Sequence, residues 1–277
     1  MLKTNLLIED LKSEIARIEG VSSRFTPDAQ DISDGLLHFH VKPLDDAFNQ
    51  HGLPLYALHE ITSIGCDHGA ASGFLSALLS QITHQKSGSI FWLKTTTSIT
   101  EKGALYGPGL KAFNLNSSRI LFAETSRLKE ALWALEEAAS LDNLSAIVAD
   151  LHLTDKTLSL KESRRLHLRA EANKTPILLN LSGQASASLQ SASLTRWHVQ
   201  SSPSPPFENF TDGLGLPSFQ VKLLKNRAGK EITINLMWDQ HHGCFQELKR
   251  QAGKAYTKPP NSGVLVALSP DRPVDAA

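Results

Sequence analysis

The chain predicts an α/β fold with a mostly parallel central sheet flanked by helices, a C-terminal antiparallel hairpin and an N-terminal amphipathic helix. Three observations carry this. Apolar runs alternate with helical-period segments between residues 55 and 181, the pattern of parallel strands joined by right-handed crossovers. The run Ile90–Leu93 is short and wholly apolar, as a strand covered on both faces requires. After residue 183 strands follow one another without helices, the last two joined as a hairpin across Ala228-Gly229-Lys230.

The elements follow in order. Leu7, Leu11, Ile15 and Ile18 recur at helical spacing within residues 4–19, with Glu9, Lys12, Glu14 and Arg17 between them, and Gly20 ends the segment. This stripe docks on its own core or on a partner, so Leu7, Leu11 and Ile15 are candidate partner contacts. Residues 21–36, with Pro27, Asp28, Asp31, Ser33 and Asp34, read as an exposed linker. A short helical turn and a Gly-Pro loop fill 43–54, and strand 55–62 leads through a Gly-containing turn into helix 72–86. In that helix Phe74, Leu75, Leu78, Leu79 and Ile82 form the buried stripe. Strand 90–93 comes next, then loop and helix over 95–111 with a turn at Tyr106-Gly107-Pro108-Gly109, then strand 119–124. Helix 126–140 buries Leu128, Ala131, Leu132, Leu135, Ala138 and Ala139. Strand 145–149 ends at Asp150, which reads as a turn or cap residue. Ser159 and Glu162 match the S-x-x-E capping box ahead of helix 160–173, and strand 177–181 follows. Strands 195–200, 218–226 and 231–238 complete a domain spanning 37–240, and 241–277 is assigned to a flexible tail.

Composition bounds the function. The 277 residues carry no net charge, with a pI near 7.2, so bulk charge makes no demand for nucleic acid and leaves only local patches. Cys66 and Cys244 are far apart and read as reduced thiols. The start MLKTNLLIEDLKSEI has acidic residues where a signal peptide needs an apolar run, and no run approaches the ~18 residues of a membrane span. A cytoplasmic, soluble protein is expected.

The stretch His59–Leu79 reads as strand, turn and helix, the place where a nucleotide-binding fold holds phosphate. A working G-x-x-x-x-G-K-[ST] loop uses its lysine to neutralise phosphate charge and its hydroxyl to bind magnesium. Here Gly65-Cys66-Asp67-His68-Gly69-Ala70-Ala71-Ser72 has its glycines one residue too close, alanine at the lysine position, and Asp67 where phosphate would sit. Asp150 stands where a magnesium-binding carboxylate would. The strand before it is followed by Lys94-Thr95-Thr96-Thr97, with no carboxylate before Glu101. No catalytic residue, cofactor or metal is assigned, and Gly65, Gly69, Ser72 and Asp150 read as the remnant of a phosphate site. His241, His242 and Cys244 lack a fourth ligand. His38 and His40 share a strand face but read as surface or satisfied residues, and His59 with Glu60 reads as a buried polar pair. Lys161, Arg164, Arg165 and Arg169 cluster on one helix, and Lys222, Lys225, Arg227 and Lys230 on the hairpin. They form a solvated face or a phosphate-contacting one, with Arg164, Arg165, Lys225 and Arg227 the nucleic-acid candidates.

Pro43-Leu44-Asp45-Asp46-Ala47, Gly52-Leu53-Pro54, Glu60-Ile61 and the degenerate turn resemble the entry to a RecA ATPase core. The strings LHE (58–60), HGAASGF (68–74), LYGPGL (105–110), ALWALEEA (131–138), ESRRLHLRAEA (162–172), TRWHV (195–199), GLGLP (213–217), LLKNRAGK (223–230) and WD (238–239) more specifically resemble the ImuA family of RecA-like accessory proteins. They cover roughly residues 43–240. The resemblance implies a non-catalytic role in SOS-induced, error-prone translesion DNA synthesis. The implied partners are an ImuB-like Y-family protein and an error-prone C-family DNA polymerase, with RecA as a further contact. The related SulA-type division inhibitors, which bind FtsZ, are the alternative, and a divergent ATPase or DNA-binding protein is another. The chain departs from RecA at the phosphate lysine, at the catalytic glutamate, and in 182–194, which is Ser/Ala-rich where RecA has a longer DNA-binding loop.

Overall fold

The computed structural model describes residues 35–154, 158–183, 190–205 and 215–249. The N-terminal helix with Leu7, Leu11 and Ile15, almost all of the linker, and the chain beyond residue 249 lie outside them. Leu36–Leu37 (β1) and Leu53–Pro54 (β2) form a small antiparallel sheet around the helical turn Lys42–Asp45 (α1). The main sheet begins with Leu58–Thr62 (β3), followed by helix His68–Gln85 (α2) and strand Ser89–Thr95 (β4). Thr96–Lys102 (α3) and Gly107–Lys111 (α4) lead to Ile120–Thr125 (β5). Leu128–Ala138 (α5), Leu144–His152 (β6), Leu160–Ala172 (α6) and Ile177–Ser182 (β7) complete the alternating part. Thr195–Ser201 (β8), Ser218–Asn226 (β9), Ile232–Asp239 (β10) and Cys244–Glu247 (β11) close the chain.

The sheet has nine strands in the order β11-β10-β9-β8-β3-β7-β6-β4-β5. From β8 to β5 every pairing is parallel, and from β8 to β11 every pairing is antiparallel. This is the α/β fold of a RecA-like core. Alternation along β6 shows how both faces are used. Ala146 and Val148 pack with Phe74, Leu75 and Leu78 of α2, while Ile147 and Ala149 pack with Leu135 of α5 and Leu166 of α6. On the α2 face, Trp197 of β8 lies 5.7 Å from Phe74 and about 6 Å from Phe39 and Phe48, and Phe245 of β11 lies 5.2 Å from Trp238. These rings join the antiparallel strands to α1 and α2.

Several boundaries differ from expectation for physical reasons. The turn before α2 is shorter than a phosphate loop. A single 3-10 turn spans Gly65–Asp67, Gly65 taking φ +59°, and the helix starts at His68. Gly69 and Ser72 are therefore helical residues, not loop residues. Gly107-Pro108-Gly109 is also helical, because proline sits in the first turn, where its missing N–H costs no bond. Residues 96–102 form α3, capped by the Thr95 hydroxyl. β11 lies inside the segment assigned to the tail. Its Cys244 and Phe245 are buried, but four residues are too short a run to stand out from their polar neighbours.

Candidate functional site

The candidate site is a cleft of about 430 Å³ at the C-terminal ends of β3, β4 and β6, beside the start of α2. Lys94, Lys102 and Asp150 lie on its floor, and Trp92, Leu110 and Phe219 are among its apolar walls. β4 runs straight into α3, which turns back over the strand ends and brings Lys102 beside Asp150. Gly103, at φ +81°, ends α3 and accepts a 2.7 Å hydrogen bond from Lys94 Nζ.

Asp150 is not a turn or cap residue. It lies inside β6, 2% exposed. Its Oδ2 accepts from Trp92 Nε1 at 2.9 Å and faces Lys94 Nζ at 3.4 Å. Its Oδ1 accepts from Asn180 Nδ2 at 2.6 Å and faces Lys102 Nζ at 3.8 Å. The carboxylate thus has a hydrogen bond on each oxygen and two cations around it, so a divalent ion has no vacant carboxylate oxygen to bind. Lys94 falls in the register position next to Asp150, just after the apolar run where a hydrolytic carboxylate was sought and not found. Cations stand where a RecA-type site would hold magnesium and an acid. Burial, opposed by Asp150 and helped by Lys94, lowers the Lys102 ammonium to about 8.

Asp67 does not face an anion. Its Oδ1 accepts from Ser201 N at 2.9 Å and Ser201 Oγ at 2.6 Å, tying the turn to the end of β8. These bonds hold its carboxyl below the ordinary range. His68 Nδ1 lies 2.9 Å from Ser63 Oγ, and Gly69 is open, with nothing within 4 Å of an added Cβ. Of the phosphate-site remnant, the structure places Gly69, Ser72 and Asp150 around one cleft and leaves Gly65 in the turn beside it.

The other candidates resolve differently. His59 and Glu60 are both fully buried but do not pair with each other. His59 Nδ1 meets Thr195 Oγ1 at 2.8 Å, while Glu60 Oε2 accepts from Arg196 Nε at 2.8 Å and Ser193 Oγ at 3.1 Å. Burial drives His59 down to about 4, so it is neutral at pH 7. Arg165 is engaged by Glu136 of α5 at 2.7 Å. Lys225 Nζ donates to the Ser191 carbonyl at 2.8 Å. Arg164 and Arg227 both bear on His167 and help lower its pKa, after burial. The basic helix and hairpin therefore meet around His167, at the opposite ends of the strands from the cleft, and two of the four nucleic-acid candidates hold the fold together. His242 Nδ1 lies 2.6 Å from Asp239 Oδ2, and the Cys244 thiol is pushed up to about 11 by burial. Among the described residues no group of His, Cys, Asp and Glu side chains could hold a metal ion, and no helix is long and apolar enough to cross a membrane.

Lys102 escaped the sequence reading, because nothing in Thr100-Glu101-Lys102-Gly103 marks a buried lysine. The signal that was present is Lys94, a charge closing an apolar run.

No family model matches the chain. It is 30% identical over 207 residues to Protein ImuA of two Caulobacter vibrioides strains, an alignment covering 70% of this chain and 80% of that protein. Most of the strand-helix core lies within a match of that extent, and the chain belongs to the ImuA family.

Proposed function

We propose that this protein is a non-catalytic, cytoplasmic adaptor of SOS-induced, error-prone translesion DNA synthesis. Its partners in this reading are an ImuB-like Y-family protein and an error-prone C-family DNA polymerase, with RecA as a further contact. Family membership supports the pathway. The observation that carries the non-catalytic part is the occupancy of Asp150 by Lys94 and Lys102, together with alanine at the phosphate-lysine position. A γ-phosphate would have neither a lysine in the loop nor a metal-binding carboxylate. The core would then supply RecA-like contact surfaces without a nucleotide-driven change of state, and the stripe Leu7, Leu11 and Ile15 is the proposed partner contact.

Capture of the co-expressed ImuB-like protein tests the adaptor role. Leu7→Asp with Leu11→Asp is expected to abolish capture, and undiminished capture refutes the assigned contact. Titration of labelled ATP with magnesium tests the other half. Micromolar binding that disappears with Asp150→Ala would overturn the non-catalytic reading.

A further inference from the structure

The cleft is unevenly charged. Its lining carries two lysines and one aspartate, and no other acid. Asp150 is fully engaged and Lys94 makes a 2.7 Å bond to Gly103 O. Lys102 is the under-used cation. Its side chain is 2% exposed, yet its nearest acceptors are Asn180 O at 3.3 Å and Asp150 Oδ1 at 3.8 Å, beyond the usual range of a strong ammonium hydrogen bond. The positive end of the 18-residue helix α2 opens on the same space, and Asp67 at that end supplies no side-chain cap. Apart from the floor the walls are mostly apolar. Trp92, Leu110 and Phe219 are buried, Leu105 and Phe113 partly so, and Tyr106 stands 71% exposed at the edge.

We propose that the cleft is a docking pocket for a partner-protein segment that presents a carboxylate beside an apolar side chain, the carboxylate reaching Lys102 and the apolar group lying on the Leu105, Tyr106 and Phe113 wall. Charge complementarity selects the acid, since the floor has one more cation than anion. The apolar walls select a singly charged group on a hydrophobic body over a phosphate chain, whose dense charge would face carbon on most sides. Lys102 gains the short partner it lacks, and the lowered basicity that burial imposes on it is relieved. The proposal deepens the adaptor reading by naming the chemistry of one partner contact.

The test uses the full chain and two probes, acetyl-Asp-Phe-amide and acetyl-Asn-Phe-amide, which differ in charge alone, titrated by ligand-observed NMR. Saturable binding of the Asp peptide, about tenfold or more tighter than the Asn peptide, is expected. Lys102→Met should remove that preference. Gly69→Asp is the fold-safe companion. The residue is exposed, an added side chain meets nothing, and an acid in the first helical turn suits the helix dipole. It should weaken the Asp peptide about tenfold while the thermal midpoint holds. Equal binding of the two peptides, or Gly69→Asp without effect, overturns the proposal. So does tighter, magnesium-dependent binding of inorganic pyrophosphate at the same site, which would mark a surviving phosphate subsite. The adaptor role stands or falls separately, on partner capture through Leu7 and Leu11.

Discussion

Asp150→Asn distinguishes an ion cluster that serves the fold from a carboxylate kept for a metal. The wild-type side chain lies 3.4 Å from one ammonium and 3.8 Å from another. At an effective dielectric of about 20 each pair attracts by roughly 4–5 kcal/mol, most of it offset by desolvation of three buried groups. The asparagine keeps the shape but strands two ammonium groups in a buried site, and breaking a buried pair in this way costs about 3–5 kcal/mol. With a urea dependence of about 2 kcal/mol per molar, the unfolding midpoint should fall by roughly 2 M. Adding Lys102→Met removes one stranded charge, so the double variant should be about 1–3 kcal/mol more stable than additivity predicts. An Asp150→Asn protein within about 0.5 kcal/mol of the parent would refute the reasoning. Magnesium that raises the parent's midpoint and leaves the variant's unchanged would refute it too, because ligand stabilisation of the folded state requires a site.

Two further outcomes follow from the same geometry. Ser159→Ala removes a complete capping box, in which Ser159 Oγ accepts from Glu162 N at 3.2 Å and Glu162 Oε2 from Ser159 N at 2.8 Å; a loss of about 1 kcal/mol in urea unfolding is expected. Buried His59 is harder to protonate folded than unfolded, its pKa lowered from 6.5 to about 4, so its stabilising effect is complete above pH 6.5 and is lost as pH falls toward 4. That amounts to about 3 kcal/mol, read as the difference between the pH profiles of parent and His59→Asn.

What the sequence made legible follows from how local each signal is. The capping box of α6 involves residues three apart and was found as it stands. The stripes of α2 and α5 follow the 3.6-residue period, and their buried positions match. The hairpin of β9 and β10 is marked by Ala228-Gly229-Lys230. The site was read correctly in what it lacks, at Gly65–Ser72 and after Leu93, because a missing lysine is visible in one dimension. What fills the gap was not visible. Lys102 reaches Asp150 only because α3 folds back over the strand ends, and the two residues are 48 positions apart in sequence. Asp67 was taken as a charge facing a phosphate because its tie to Ser201 spans β8 and β3. Arg165 and Lys225 looked like free cations for the same reason, their partners Glu136 and Ser191 lying on other elements.

The replacement of a metal by lysines changes what such a core can do. A bound metal and triphosphate bring charge that arrives, is hydrolysed and leaves, and two conformations of a RecA-like core can be biased by that traffic. Lys94 and Lys102 bring charge that is covalently attached and never leaves, so Asp150 experiences the same field in every turnover of the partners. The ledge formed by β4, β6 and α3 is therefore held in one arrangement by ion pairs at 3.4 and 3.8 Å. A ligand that shifts an equilibrium must bind its two states differently. A cleft fixed from within offers one state, and it favours the partner that brings the missing negative charge with it.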